Sequence, residues 1–216
     1  MGWIGRHRLE ALAEDGCRVV AVADPSADAC AAVTDVHPDA TVAPDLDGLL
    51  DAEPDGVVIA TPSALHAGQA IATLERGIPV FCQKPLGRTA RETDRVVEAA
   101  RAADRLVGVD MSYRHTAALR SIRDRVVAGD LGEVYAAELV FHNAYGPDKD
   151  WFYDRELSGG GCVMDLGIHL IDLALWLLGG RVEGVSASLF AGGRRLGGGA
   201  AAVEDHAEVR LELTGG

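Results

Sequence analysis

Short, near-continuous runs of Val, Ile and Ala alternate with longer amphipathic stretches through the first half of the chain. That rhythm constrains the fold more than any other feature. Residues 18–23 (RVVAVA), 56–60 (GVVIA), 79–82 (PVFC) and 106–111 (LVGVDM) read as buried strands, with a short one at 41–42. Helical patterns lie between them at about 5–15, 26–37, 45–52, 64–76 and 89–104. Apolar strands separated by helices indicate a parallel sheet covered on both faces. This is the doubly wound α/β class.

After Tyr113 the rhythm changes. A helix is expected at about 115–129, a long strand at 133–141, and an irregular aromatic stretch over 143–157. A glycine run at 159–161 leads into a strongly apolar helix over about 162–178, expected to be mostly buried. Strands at about 181–190 and 203–213 follow, with a glycine-rich turn or loop over 192–199 between them. Helices followed by successive strands suggest an α+β domain. The expected division is 1–112 for a nucleotide-binding domain and 113–216 for an incomplete substrate-binding and oligomerisation domain.

Bulk properties narrow the function. At 216 residues the chain makes one large domain or two small ones. A net charge of −13 repels phosphate backbones and anionic lipid, so neither nucleic acid nor a membrane surface is an expected partner. No apolar stretch is expected to reach the roughly 20 residues of a membrane span, because the longest candidate, 170–178, is interrupted by Asp172. Cys17, Cys30, Cys82 and Cys162 show no CxxC spacing and follow no signal peptide. Reduced cysteines, a cytoplasmic location and no metal site are therefore expected. Asp165 and His169 with His142 or His206 would make only an unspecific ligand set.

The chain opens Met1-Gly2-Trp3-Ile4-Gly5 and enters a helix. Gly2 and Gly5 have the spacing of the second and third glycines of GxGxxG, whose backbone lets pyrophosphate approach a helix N-terminus. The first glycine and the preceding strand are absent. Asp24 ends its strand 19 residues after Gly5, where a carboxylate accepts hydrogen bonds from the adenosine ribose. An Asp there repels a 2′-phosphate, and Pro25 and Ser26 supply no cation, so NAD is expected over NADP.

Ligands of doubly wound sheets sit beyond the carboxyl ends of strands. Thr61, Pro62 and Ser63 occupy that position after one strand, with His66 in the following helix. Gln83 and Lys84 occupy it after the next. Lys84 is one of only 2 lysines against 18 arginines, and Pro85 biases it towards extended backbone. A lysine there can hydrogen-bond a substrate hydroxyl and stabilise a developing alkoxide.

The 162–178 helix carries Asp165, His169 and Asp172 at i, i+4 and i+7, within an arc of about 60° on a regular helix. An Asp165 carboxylate bonded to His169 would fix the imidazole tautomer and raise its basicity. An alcohol that loses hydride must also lose a proton, which an oriented histidine can accept. Asp172 reads as structural, bonding backbone at the domain junction.

Together these segments resemble the glucose–fructose oxidoreductase / inositol dehydrogenase group, Gfo/Idh/MocA. The resemblance rests on Gly2-Trp3-Ile4-Gly5, VVAVADP at 19–25, ATPSALH at 60–66, GIPVFCQKPL at 77–86, Tyr113-Arg114 and GGGCVMDLGIHLIDLALWLLG at 159–179. It implies a Rossmann-type domain followed by an open-sheet α+β domain that also mediates homo-oligomers. It implies that Lys84, Asp165 and His169 are catalytic, with His169 as proton acceptor. It places Gly2, Trp3, Ile4, Gly5, Asp24, Thr61, Pro62, Ser63, His66, Gln83 and Lys84 at the cofactor. Lys84, Tyr113, Arg114, Asp165 and His169 are placed at the substrate, which would be a sugar, inositol or related polyol. Gln83 stands where the group usually has Glu, and Ser63 where Asn is common. Both ends are short of the pattern. The expected first strand would be central, so without it two strand edges lie open. The chain is thus expected to be a truncated form, and a non-catalytic binding or assembly protein of the same fold is the alternative.

Overall fold

A computed structural model describes residues 2–199 and 202–214. The chain divides into two compact units, Met1–Asp110 and Met111–Gly216.

The first unit alternates helix and strand: α1 (Trp3–Glu14), β1 (Ala21–Val22), α2 (Ala27–Thr34), β2 (Thr41–Val42), α3 (Leu46–Leu50), β3 (Val57–Ile59), α4 (Ser63–Glu75), β4 (Val80–Cys82), α5 (Ala90–Ala103) and β5 (Val107–Val109). Helix starts carry their own acceptors. Ser26, Asp45 and Thr89 each accept a first-turn N–H of the helix that follows. All pairings are parallel, but they form two sheets, β1–β2 and β3–β4–β5. A doubly wound sheet runs its first strand between these two groups. Among the described residues no strand joins β1 to β3, so β1–β2 and β3–β4–β5 are separate sheets.

The main core lies between β3–β4–β5 and helices α4 and α5, around Val57, Ile59, Ala70, Leu74, Val80, Cys82 and Val96. A smaller core of Val22, Cys30 and Val33 sits under α2. Burial of the sheet on both faces is not what forms. β3 and β4 each alternate buried, exposed, buried, leaving Val58 and Phe81 more than a third open. Three-residue strands give each face one or two side chains, and α4 and α5 cover the face with two.

The second unit begins with a 3₁₀ turn, Ser112–His115, and α6 (Ala117–Ala128). A 3₁₀ turn at Asp150–Tyr153 and α7 (Arg155–Ser158) precede a π-helical segment, Val163–Gly167, which runs directly into α8 (Ile168–Leu178). An antiparallel sheet of order β7–β6–β8 follows, from β6 (Val182–Ala191), β7 (Arg194–Arg195) and β8 (His206–Leu213). The β6–β7 turn is Gly192-Gly193, both at positive φ, which suits the two-residue hairpin.

Four expectations are corrected here. The 133–141 stretch pairs with no strand among the described residues. Its alternation favours a sheet, but a strand needs a neighbour for its N–H and C=O groups, and Tyr135 is 85% exposed. The 162–178 segment is not one regular helix, since it opens with a π turn. One extra residue per turn shifts the phase without interrupting an apolar run, so the composition gave no sign of it. Nor is it mostly buried. His169 and Leu173 are, and most of its other side chains are half-buried. An 18-residue window within Arg155–Leu178, of mean hydropathy 1.7, is long and apolar enough by length and composition to cross a membrane, a test that the core helix of a soluble protein also passes. The expectation had stopped counting at Asp172.

Candidate active site

In the first unit, the parallel strands of each sheet bring their carboxyl ends to one edge of that sheet. Asp24 follows β1, Thr61 follows β3, Gln83 and Lys84 follow β4, and Asp110 follows β5. Gly2 caps α1 in extended conformation with no side-chain acceptor for the first-turn N–H groups. A Cβ on Gly2 would meet nothing within 4 Å, whereas Gly5 is buried against the unit. An uncapped helix start with an open glycine in front of it suits a phosphate. Trp3 points away, 78% exposed and stacked on His7. Ile4 is half-buried. Asp24 is held at its strand end, with Oδ1 accepting the Ser26 N–H at 2.8 Å. These residues fit the pyrophosphate and ribose portions of a dinucleotide.

His66 is corrected. Its ring is 1% exposed, and its nitrogens lie 2.7 Å from two backbone carbonyls, Nδ1 from Pro85 and Nε2 from Thr61. It therefore clamps the loop after β3 to the loop after β4, beneath Thr61 and Lys84, and presents no ring nitrogen to a cofactor. Burial outweighs both carbonyls and lowers the His66 pKa below its ordinary value of 6.5. A depressed histidine adds stability that is full above the unfolded-state value and is lost as pH falls through the lower folded-state value. Urea unfolding followed from pH 7.5 to 5 is expected to show a stability decline that His66→Gln flattens. Equal pH dependence in both proteins would remove the clamp's role.

Asp110 was missed by sequence reasoning. It is 6% exposed, and Oδ2 accepts Arg8 Nε from α1 at 2.5 Å and the side-chain amide of Gln83. One buried carboxylate thus joins the first dinucleotide helix to the loop carrying Lys84. It also accounts for Gln83, because a glutamate there would set two carboxylates against each other. The available signal was position: Asp110 ends its strand as Asp24 does. Thr61 Oγ1 donates to Gln69 at 2.7 Å, Ser63 is buried at the start of α4, and Lys84 is half-buried.

In the second unit, the 3₁₀ turn grips α8 through two adjacent residues. Tyr113 stacks on His169 with ring centroids 4.3 Å apart and planes 10° apart. Arg114 donates to both carboxylate oxygens of Asp172, with Nε to Oδ2 at 2.6 Å, and Asp172 raises the guanidinium pKa. Asp172 is therefore structural as expected, but its partner is a side chain of the same unit, not backbone at the junction. Asp165 lies inside the π turn and His169 in the first turn of α8, so the arc expected for a regular helix does not carry across the register change.

Glu204, just before β8, was also missed. Its Oε1 accepts the N–H groups of Gly161 at 2.9 Å and Val163 at 3.0 Å, and its carbonyl accepts Cys162 N–H at 2.8 Å. It caps the π–α run that holds Asp165 and His169. No nearby serine or threonine cap marks that start, and the acceptor comes from 43 residues downstream. Burial pushes the Cys82 thiol up to about 12 and, with Glu204, the Cys162 thiol up to about 11, so neither supplies a thiolate nucleophile near neutral pH.

Two family descriptions cover almost the whole chain. "Oxidoreductase family, NAD-binding Rossmann fold" matches residues 1–111, and "GFO/IDH/MocA C-terminal domain" matches 119–216. D-glucoside 3-dehydrogenase of Escherichia coli is 31% identical over 80% of this chain and 50% of its own length. Inositol 2-dehydrogenase 3 of Saccharopolyspora erythraea is 32% identical over 82% of this chain and 51% of its own length. The chain thus spans about half the length of these relatives. Among solved structures, the WlbA dehydrogenase of Bordetella pertussis, in complex with NADH and UDP-GlcNAcA, superposes with TM-score 0.84 at 27% identity, covering 99% of this chain and 66% of that one. An NAD-binding protein from Listeria innocua superposes with TM-score 0.85 at 27% identity, covering 99% and 61%. The chain belongs to the GFO/IDH/MocA oxidoreductase family, with an NAD-binding Rossmann domain followed by the family's C-terminal domain.

Proposed function

We propose that the protein is an NAD-dependent oxidoreductase that transfers hydride between the nicotinamide and a hydroxyl-bearing carbon of a sugar, inositol or related polyol. The observation that carries this is the buried His169 imidazole, fixed by a ring stack at the start of α8 and four residues from Asp165. NAD, when bound, supplies the hydride acceptor. The uncapped N–H groups of α1 would hold its pyrophosphate and Asp24 its ribose. Lys84 donates a hydrogen bond to the reacting hydroxyl and stabilises negative charge as it forms. His169 takes the hydroxyl proton, with Asp165 supporting the charged ring. Asp24, followed in sequence by Pro25 and Ser26, favours NAD over NADP. The relatives' own names, a glucoside dehydrogenase and an inositol dehydrogenase, support a polyol substrate.

The same reading includes a homo-oligomer formed through the second unit's sheet. Val182, Val185 and Val209 lie on one face of β6–β8 and are 40%, 67% and 40% exposed. It also includes a cytoplasmic location, supported by four free cysteines. A second reading, a binding or assembly protein without catalysis, is favoured by the division of the parallel sheet between β1 and β3.

Titration with NADH and NADPH, followed by energy transfer from tryptophan to the nicotinamide, separates the two. Saturable NADH binding, tighter than NADPH, is expected. No binding of either nucleotide would overturn the enzyme reading in favour of the second.

A further inference from the structure

The residues Tyr113 and Arg114 were expected at the substrate, yet their side chains are engaged on the catalytic helix itself. Their targets, His169 and Asp172, are three residues apart on α8 and therefore on neighbouring positions of one face. A bidentate Arg–carboxylate pair fixes direction as well as distance. It anchors the 3₁₀ turn one residue away from the ring that covers His169. We propose that Tyr113 is a positioning residue for His169, held in register by the Arg114–Asp172 pair, and that its ring face favours the charged form of the imidazole. This rests on the reading of His169 as the proton acceptor.

The physical case has three parts. First, a buried imidazole that accepts a proton becomes a buried cation, which burial alone disfavours. An aromatic face within about 6 Å of a cation's position offsets part of that penalty. At 4.3 Å and 10°, Tyr113 presents such a face. Second, a parallel stack covers one side of the imidazole and fixes its plane, so the nitrogens are directed by the edge of the ring. Third, the charged groups on elements packed against α8 are accounted for. Asp165 and Asp172 lie on its own helical run. Arg114 is bound to Asp172. His115 lies on the 3₁₀ turn, 2.9 Å from the Arg120 guanidinium. Arg120, Arg123, Asp124 and Arg125 lie on α6, where Arg123 sits 4.5 Å over the Trp176 ring. The Tyr113 ring is the group stacked on the imidazole face.

The test uses nuclear magnetic resonance of the full chain, reading the histidine Cε1–H signals through a pH titration. The His169 signal is assigned by its loss in His169→Asn. In wild type the signal is expected upfield of the other histidines, because the stacked ring shields it. Tyr113→Phe, which keeps the ring, should keep that position and midpoint. Tyr113→Leu should lose the upfield displacement and lower the midpoint by roughly half to one pH unit. A role confined to stability would leave the midpoint in place once the variant is folded. Arg114→Lys, which keeps the charge but not the fork, should lose part of the displacement. A His169 signal with the same position and midpoint in wild type and folded Tyr113→Leu would overturn the proposal. Failure of the underlying reading shows separately, as unchanged turnover in a His169→Ala protein whose tyrosine stack is intact in wild type.

Discussion

Turnover of a polyol by a His169→Ala protein is expected to fall by about 10²–10⁴-fold, with NADH binding retained. General acid–base catalysis by a positioned side chain contributes on that scale. His169 is 6% exposed and sits at the start of α8 in the second unit, so its loss leaves the uncapped α1 start and Asp24 in the first unit unchanged. Lost turnover with retained binding is the signature of a proton acceptor. The steady-state rate and the NADH dissociation constant, measured on the same preparation, decide it. A variant as active as wild type would remove His169 from the chemistry.

A Gly161→Ala protein is expected to lose about 3 kcal/mol or more of second-unit stability, at the upper end of what overpacking costs. A Cβ at Gly161 would lie 1.9 Å from the Glu204 carbonyl oxygen and 2.7 Å from its backbone nitrogen. These are main-chain atoms next to a strand, and no rotamer change can move them aside. Relief requires breaking the Cys162 and Val163 hydrogen bonds to Glu204, which would loosen the cap on the helix bearing His169. Gly197→Ala, with nothing within 4 Å of its Cβ position, is the control and should be near neutral. Urea midpoints of the three proteins measure the effect. A Gly161→Ala midpoint matching that of Gly197→Ala would show that the Gly161–Glu204 approach is not tight.

The parts that were legible in the sequence are those written in local pattern. The Val-rich runs and intervening helices of the first unit lie where periodicity put them, because the strands are flanked by turn signals and α2, α3 and α5 each start at their own side-chain cap. Strand ends then pointed to Asp24, Thr61 and Lys84 without any three-dimensional information. What was not legible depends on partners far along the chain. Glu204 caps a helix that starts 41 residues earlier. Asp110 binds Arg8 across 102 residues. The 133–141 stretch has strand composition, but pairing is a property of two segments and composition describes one. His66 was misread because a histidine after a strand end can face either a ligand or backbone, and only burial tells them apart.

The Glu204 cap also bears on how this family's sheet can change length. Asp205 N–H is bonded to the Phe190 carbonyl, and its carboxylate accepts Gly192 N–H at 2.7 Å, so the entry to β8 is pinned next to the β6–β7 turn. Residues added after the β6–β7 hairpin and before Glu204 would leave Glu204, and with it the start of the His169 helix, where they are. Residues added between Glu204 and β8 would carry the carboxylate away from Gly161 and Val163. The hairpin is therefore a place where insertions can diversify this unit's surface while the helix bearing His169 stays fixed.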